Sequence, residues 1–222
     1  MIVVAIDGPS GAGKSSTSKL VAQRAGWNYL DTGALYRAVA WLALREKISS
    51  AEEILAAIAN NTIHFIADPK SPKVFVGDVD VTTEIRTERV TESVSVISAL
   101  PEIRASLLNL QRRLINEAER GIVVEGRDIG TVVAPDAPLK IYLQADIAAR
   151  AARRSTEIAA PVSSVSDSLA QRDQIDSTRA VSPLAKASDA VLIDSTELDL
   201  EETVERVWEL LKERSLLGLP IV

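Results

Sequence analysis

The chain has 222 residues, 46% of them hydrophobic, enough for one large α/β domain with insertions and a central sheet covered on both faces. Its net charge of −6 argues against a nonspecific nucleic-acid binder, whose electrostatic footprint is basic. Without cysteine it can form no disulfide, no thiolate nucleophile and no cysteine-ligated metal site, which leaves a reducing compartment open.

Ile2 to Ile6 is a short apolar run that reads as a buried strand. It stops at Asp7, too short for a signal-peptide core, and nothing later approaches a membrane span, so a cytoplasmic protein is expected. Gly8, Pro9, Ser10, Gly11, Ala12, Gly13, Lys14 and Ser15 follow at once and fit the phosphate-binding pattern G-x-x-x-x-G-K-[S/T]. Its glycines let successive N–H groups turn inward on phosphate oxygens, and the next helix adds its positive end. Lys14 can reach the β- and γ-phosphates and the Ser15 hydroxyl can ligate Mg²⁺. A nucleoside triphosphate is the expected ligand.

Lys14 to Ala25 has helical spacing with Gly26 as its stop, and Trp27 to Leu30 reads as a strand leading into Asp31-Thr32-Gly33. Ala34 to Glu46 and Ala51 to Ala59 are rich in helix formers. From Thr62 to Val81 the period changes to two: Ile63 and Phe65, Val74 and Val76, Val79 and Val81, around turns at Asp68-Pro69 and Gly77-Asp78. That pattern predicts a small antiparallel meander inserted among helices. Helices are predicted at about Thr83 to Ala99 and Pro101 to Glu119, the second closed by Gly121. Ile122 to Val124 and Leu139 to Leu143 read as strands, Ala145 to Glu157 as an arginine-studded helix, and Ile158 to Ser166 as a small polar connection. Asp167 to Thr178 reads as a helix, Ala190 to Ile193 as a last strand, and Leu200 to Glu213 as an amphipathic helix with Val204, Val207, Trp208 and Leu211 on one stripe. Trp27, Trp41 and Trp208 read as packing residues, and the apolar tail Leu216 to Val222 either packs or dangles. Strands separated by helices imply a doubly wound parallel sheet with right-handed crossovers.

A phosphate loop alone does not separate a kinase from a GTPase or a motor. No N-K-x-D guanine reader occurs, which argues against a GTPase. Arginine outnumbers lysine 17 to 8, and Lys140 is the one lysine between Arg104 and Arg179 against ten arginines. Planar guanidinium groups grip phosphate oxygens two at a time, so the bias suits a phosphate clamp. Arg127 and Asp128 sit in a loop after a strand, on the edge where doubly wound sheets bind ligands; a structural ion pair is the plain alternative. Thr32 reads as a helix cap with Arg37 one turn on, and Ser95 and Arg104 by themselves read best as a solvated helix face. His64, the one histidine, falls on the meander and reads as a surface residue rather than a catalyst. That suits transfer to a phosphate acceptor, which is already ionised at neutral pH and needs no general base.

Four segments in order, Gly8 to Ser15, Asp31 to Arg37, Glu125 to Val133 and Asp176 to Leu184, resemble the signatures of the bacterial cytidylate kinase family, a branch of the P-loop nucleoside monophosphate kinases. The resemblance implies a five-stranded doubly wound parallel sheet with three parts: a core at about residues 1–30, 100–150 and 185–222, a monophosphate-binding part with the meander at about 31–99, and a helical lid at about 151–178. It implies Mg²⁺-dependent transfer of the ATP γ-phosphoryl group to CMP and dCMP by a monomer that binds neither nucleic acid nor membrane. Gly8 to Ser15 and Ser16, with Arg153 or Arg154 from the lid, would hold ATP. Thr32, Arg37, Ser95, Arg104, Arg127, Asp128, Arg172, Asp176 and Arg179 would hold the acceptor. Within that set Arg37, Arg104, Arg172 and Arg179 are expected at the phosphate, Arg127 and Asp128 at the base with Ser95, and Asp176 at the sugar. Lys14, Arg127, Asp128, Arg172 and Arg179 are the expected catalytic residues, and Glu125 is expected near the magnesium water shell. The lid segment is shorter than in some relatives and contains no glycine. Alternatives are a UMP/CMP, adenylate or shikimate kinase or, more remotely, a nucleotide-dependent binding switch.

Overall fold

The computed structural model describes residues 1–217. Strand β1 (Ile2–Asp7) is buried from Val3 onward, and its side chains alternate between two apolar clusters. Val3 and Ala5 face one, Val4 and Ile6 the other, which is why the run reads as continuously apolar rather than alternating. On one side β1 pairs with β6 (Gly121–Gly126), which pairs with β2 (Asn28–Asp31). On the other it pairs with β7 (Leu139–Gln144), which pairs with β8 (Val191–Asp194). All four ladders are parallel, giving the order β2-β6-β1-β7-β8. The chain builds on one side of β1 and then crosses to the other, so the switch point lies at the carboxyl end of β1, where α/β sheets bind ligands.

Helix α1 (Lys14–Ala25) and the C-terminal helix α8 (Leu200–Glu213) cover one face. Gly26 ends α1 at φ 67°, and Asp199 with Glu202 forms a capping box on α8. The other face takes α2 (Thr32–Glu46), α3 (Ala51–Asn60), α4 (Glu88–Ile97), α5 (Pro101–Asn116) and a three-stranded antiparallel sheet. That sheet is β3 (Ile63–Ile66), β4 (Lys73–Val76) and β5 (Val79–Asp80), as the period-two pattern predicts; Val81 is buried while Val79 is exposed. Two helices, α6 (Ile147–Ile158) and α7 (Val162–Thr178), pack on each other across the top with Ala151, Val165 and Leu169 between them.

Several predicted boundaries move, each for a local reason. Helix α2 begins at Thr32 because the Asp31 carboxylate caps it, accepting from the Ala34 N–H at 3.0 Å. Thr32 is therefore not the cap. The predicted helix from Thr83 is interrupted: Glu84–Arg86 is a 3₁₀ turn that buries Ile85, and α4 restarts after Thr87. Helix α5 stops at Asn116 rather than being closed by Gly121, which instead opens β6 where a Cβ would lie 2.8 Å from the Trp27 ring. Helix α7 starts five residues before the sequence suggests, since Pro161 opens it and its early serines face solvent. One turn with i→i+5 hydrogen bonding, Ile129–Val133, went unpredicted. Leu216 and Leu217 of the apolar tail pack on the α1–α8 side; the rest of that tail lies outside the described residues.

Candidate active site

The phosphate loop leaves β1 under severe constraint. A Cβ on Gly8 would lie 1.9 Å from the Leu143 carbonyl oxygen of β7, so the loop can pass only with no side chain there. Gly13 at φ 87° then feeds α1, whose first turn no side chain caps, leaving its N–H groups free for an anion. Lys14 is buried and donates to the Pro9 carbonyl at 2.7 Å. Burial and the Arg127 guanidinium push its ammonium down, to about 7, while Glu125, Asp7 and Asp173 pull the other way.

The loop floors an open groove of about 560 Å³. Ser10 to Thr17 line one side, Arg153, Arg154 and Leu169 of α6 and α7 another, and Ser195 with Leu198 to Leu200 the far rim. Beneath it opens an inner pocket of about 90 Å³, lined by Thr32, Tyr36, Ser95, Ser98, Arg104, Asp128, Asp176 and Arg179. Seven residues border both spaces: Lys14, Asp31, Gly33, Arg37, Glu125, Arg127 and Arg172. Four of the seven are cationic side chains. Arg37 is held by the Ile85 carbonyl at 3.2 Å and by the Thr91 hydroxyl at 2.7 Å. Burial, and then the Arg172 charge, lowers Arg37 to about 10; burial, then Arg127, lowers Arg172 to about 10, and its buried Nε has no partner among the described residues. Unneutralised guanidinium groups crowded this closely mark a place for an anion.

The sequence brings the named residues together but groups some of them differently. Arg104 is not among the cations at the junction. It lies on the floor of the inner pocket, paired with Asp128 Oδ2 and 5.2 Å from the Tyr36 ring centroid, with Ser95 lining the same pocket. Arg127 is not paired with its neighbour Asp128. Its Nε donates to Asp176 Oδ2 at 2.7 Å and its Nη2 to the Ser10 hydroxyl at 2.6 Å, so it stands against the phosphate loop. Arg179 lies within 3.8 Å of Asp176 and lines only the inner pocket. Thr32 donates to the Glu125 carbonyl at 2.8 Å rather than capping. Arg153 is engaged by the carbonyls of Ser195, Thr196 and Leu198, which fixes the far rim; Arg154 pairs only with Glu157 on its own helix and borders the groove. Gly8 and Pro9 shape the loop without lining the groove, Ser16 lines it, and His64 is exposed on edge strand β3.

Glu125 is wholly enclosed at the junction. Its Oε2 accepts from the Ser15 hydroxyl at 3.0 Å and its Oε1 from the Tyr29 hydroxyl. Burial and the Asp31 charge push this carboxyl up, against the pull of Lys14. Sequence reasoning missed Asp7, Tyr29, Arg86, Arg150 and Asp173. Asp7 accepts from the Ile129 and Gly130 N–H groups at 2.8 and 2.7 Å, stapling the turn after Asp128 to the strand that carries the phosphate loop. Arg86 reaches Asp31 Oδ2 at 2.8 Å. For Asp173 a signal existed, since it follows Arg172 and stands three residues before Asp176; for Tyr29, paired across strands, none did.

A switch-point phosphate loop, a groove for a triphosphate and a second pocket joined to it through a ring of cations define a P-loop phosphotransferase with a separate acceptor site. Residues 4–213 match the profile of the family described as cytidylate kinase. A cytidylate kinase of Streptomyces avermitilis is 50% identical over 96% of this chain and 94% of its own length, and one of Rhodococcus jostii 47% identical over 98% and 97%. One of Streptococcus thermophilus is 44% identical over 96% of both. Among solved structures, an uncharacterized protein from Eubacterium ventriosum, 12% identical, aligns over 96% of this chain and 99% of its own with a TM-score of 0.53, a likeness of fold alone. The chain belongs to the cytidylate kinase family.

Proposed function

We propose that the protein transfers the γ-phosphoryl group of ATP to CMP and dCMP, giving CDP or dCDP and ADP. The observation that carries this reading is the ring of Lys14, Arg37, Arg127 and Arg172 where the groove meets the inner pocket. Phosphoryl transfer through a loose, in-line transition state needs alignment and charge neutralisation at one point, and four cations converge there.

On this reading the loop N–H groups of Gly11 to Ser16 hold the donor phosphates, Arg154 reaches them from the lid, and Arg153 holds the rim at the donor end. The CMP phosphate lies among Arg37, Arg127 and Arg172. An oxygen of that phosphate attacks the γ-phosphorus, forming the new O–P bond as the bond to the β-phosphate oxygen breaks, and ADP leaves. The attacking oxygen is already largely ionised at neutral pH, so no side chain need take a proton. Arg104, Asp128 and Ser95 face the base. Cytosine presents an amine donor beside ring acceptors, and a carboxylate with a guanidinium and a hydroxyl is the matching set. Asp176 with Arg179 faces the sugar. Placing Arg104 at the base and Arg127 at the phosphate reverses what the linear motif implies, and it follows which side chains border the groove.

The protein groups at the junction fit a magnesium ion. Mg²⁺ keeps most of its waters and takes few protein oxygens beside substrate phosphates; the Ser15 hydroxyl and, through water, the Glu125 carboxylate supply oxygens of the right hardness. When bound there, the ion supplies charge neutralisation to the β- and γ-phosphates. Also part of this reading are the division into core, monophosphate-binding part and lid, and a cytoplasmic monomer. Among the described residues no helix is long and apolar enough to cross a membrane.

A coupled ADP-release assay across CMP, dCMP, UMP, AMP, GMP, dTMP and shikimate tests the reading. CMP and dCMP should lead. If UMP or AMP is turned over as efficiently as CMP, the acceptor assignment fails.

A further inference from the structure

Ser10 is gripped at every polar atom it has. Its N–H donates to Asp173 Oδ1 at 3.0 Å, its carbonyl accepts from Arg150 Nη1 at 2.8 Å, and its hydroxyl accepts from Arg127 Nη2 at 2.6 Å. Asp173 and Arg150 also bond each other, with Arg150 Nη1 on Asp173 Oδ2, while Arg150 Nε is held by the Ala145 carbonyl at 2.9 Å. Arg150 stands on α6 and Asp173 on α7, so both lid helices meet at one residue of the phosphate loop. Beside Ser10, a Cβ on Gly11 would lie 3.3 Å from Arg150 Cβ and 3.5 Å from Leu169, so the loop also packs tightly against both helices. The buried Arg150 guanidinium satisfies the Ser10 carbonyl, and the Asp173 carboxylate balances its charge.

The residue before Asp173 is Arg172, which borders both the groove and the inner pocket. The residue one turn later, Asp176, holds Arg127. We propose that Asp173 and Arg150 act as one unit that positions catalysis: they fasten the root of the lid to Ser10 and thereby set Arg172 and Arg127 at a fixed height above the phosphate loop. Neither residue touches substrate. Their effect runs through Ser10, Arg172 and Arg127, and the assignment rests on the phosphoryl-transfer reading above. The anchor also divides the lid. Its root, around Arg150 and Asp173, moves with the phosphate loop, and whatever swings lies beyond it toward the α6–α7 turn.

A fixed cation above the reacting phosphorus matters to the transition state more than to nucleotide binding, because the N–H groups of Gly13, Lys14 and Ser15 hold phosphate without it. The test is a double-mutant cycle on Arg150→Met and Asp173→Asn, reading kcat with saturating CMP and ATP beside the Kd for ADP. Misplacement of about 1 Å costs on the order of 100-fold, so each single variant should lose about that factor in kcat while the Kd for ADP stays within about threefold. The double variant should lose no more than the worse single, since either change already releases the anchor. Asp173→Glu, which keeps a carboxylate, should recover much of the loss and also serves if the asparagine variant folds poorly. The proposal is overturned by Asp173→Asn turning over at the parent rate, by losses that multiply in the double variant, or by ADP binding that weakens in step with kcat. Should the parent protein itself not phosphorylate CMP, it is the functional reading that falls, and the cycle is not reached.

Discussion

Arg104 donates to Asp128 from 24 residues away, and both side chains are almost wholly buried at the floor of the inner pocket. A buried pair of this kind is costly to break and cheap to replace by apolar groups of like volume. Arg104→Met is therefore expected to lose about 3–5 kcal/mol in urea unfolding, because Asp128 is left charged and alone. Arg104→Met with Asp128→Leu should regain most of that stability yet remain unable to use CMP. If the double variant phosphorylates CMP, the pair is structural only.

Arg127 stands between the phosphate loop and Asp176. Arg127→Ala is expected to cut kcat/KM for CMP by about 10²–10³-fold, the range for losing one preorganised transition-state contact. ADP binding, followed by calorimetry, should weaken by only a few-fold. Unchanged efficiency would remove this residue from the site.

Asp7 titrates unusually high, at about 6, because burial raises it more than the Gly130 and Ile129 N–H groups lower it. The folded state thus binds this proton more tightly than the unfolded chain, whose value is near 3.8. The associated stability is fully present below the unfolded value and is lost as pH rises through the folded one, a change of about 3 kcal/mol. Unfolding free energies of the parent minus Asp7→Asn should fall by about that amount between pH 4 and 7; a flat difference would mean an ordinary carboxyl.

Tyr29 orients Glu125 from the neighbouring strand. Tyr29→Phe should lower stability by about 1.5–3 kcal/mol, the worth of a hydrogen bond to a buried charge. It should also raise the Mg²⁺ concentration for half-maximal rate, and chelation by EDTA should abolish turnover in parent and variant alike. An unshifted Mg²⁺ response would separate Glu125 from the metal.

How much of this was legible beforehand depended on whether the signal was local. The P-loop, the meander and every strand of the main sheet follow from short runs of residues, and Gly26 ends its helix as read. Gly121 was misread because its reason is the Trp27 ring, which no nearby residue announces. The site residues were legible as a set and not as a map. Adjacent letters Arg127 and Asp128 take partners on different helices, Asp176 on α7 and Arg104 on α5, which no spacing announces. Asp7 looked like the end of an apolar run, and only the fold shows what its carboxylate holds.

The inner face of the three-stranded sheet, Ile63, Phe65, Val74 and Val76, belongs to the same apolar cluster as Val3 and Ala5 of β1. Heat should therefore find no seam between the meander and the central sheet, and calorimetry should record a single transition. A substitution that loosens the meander therefore also loosens the central strand that carries the phosphate loop.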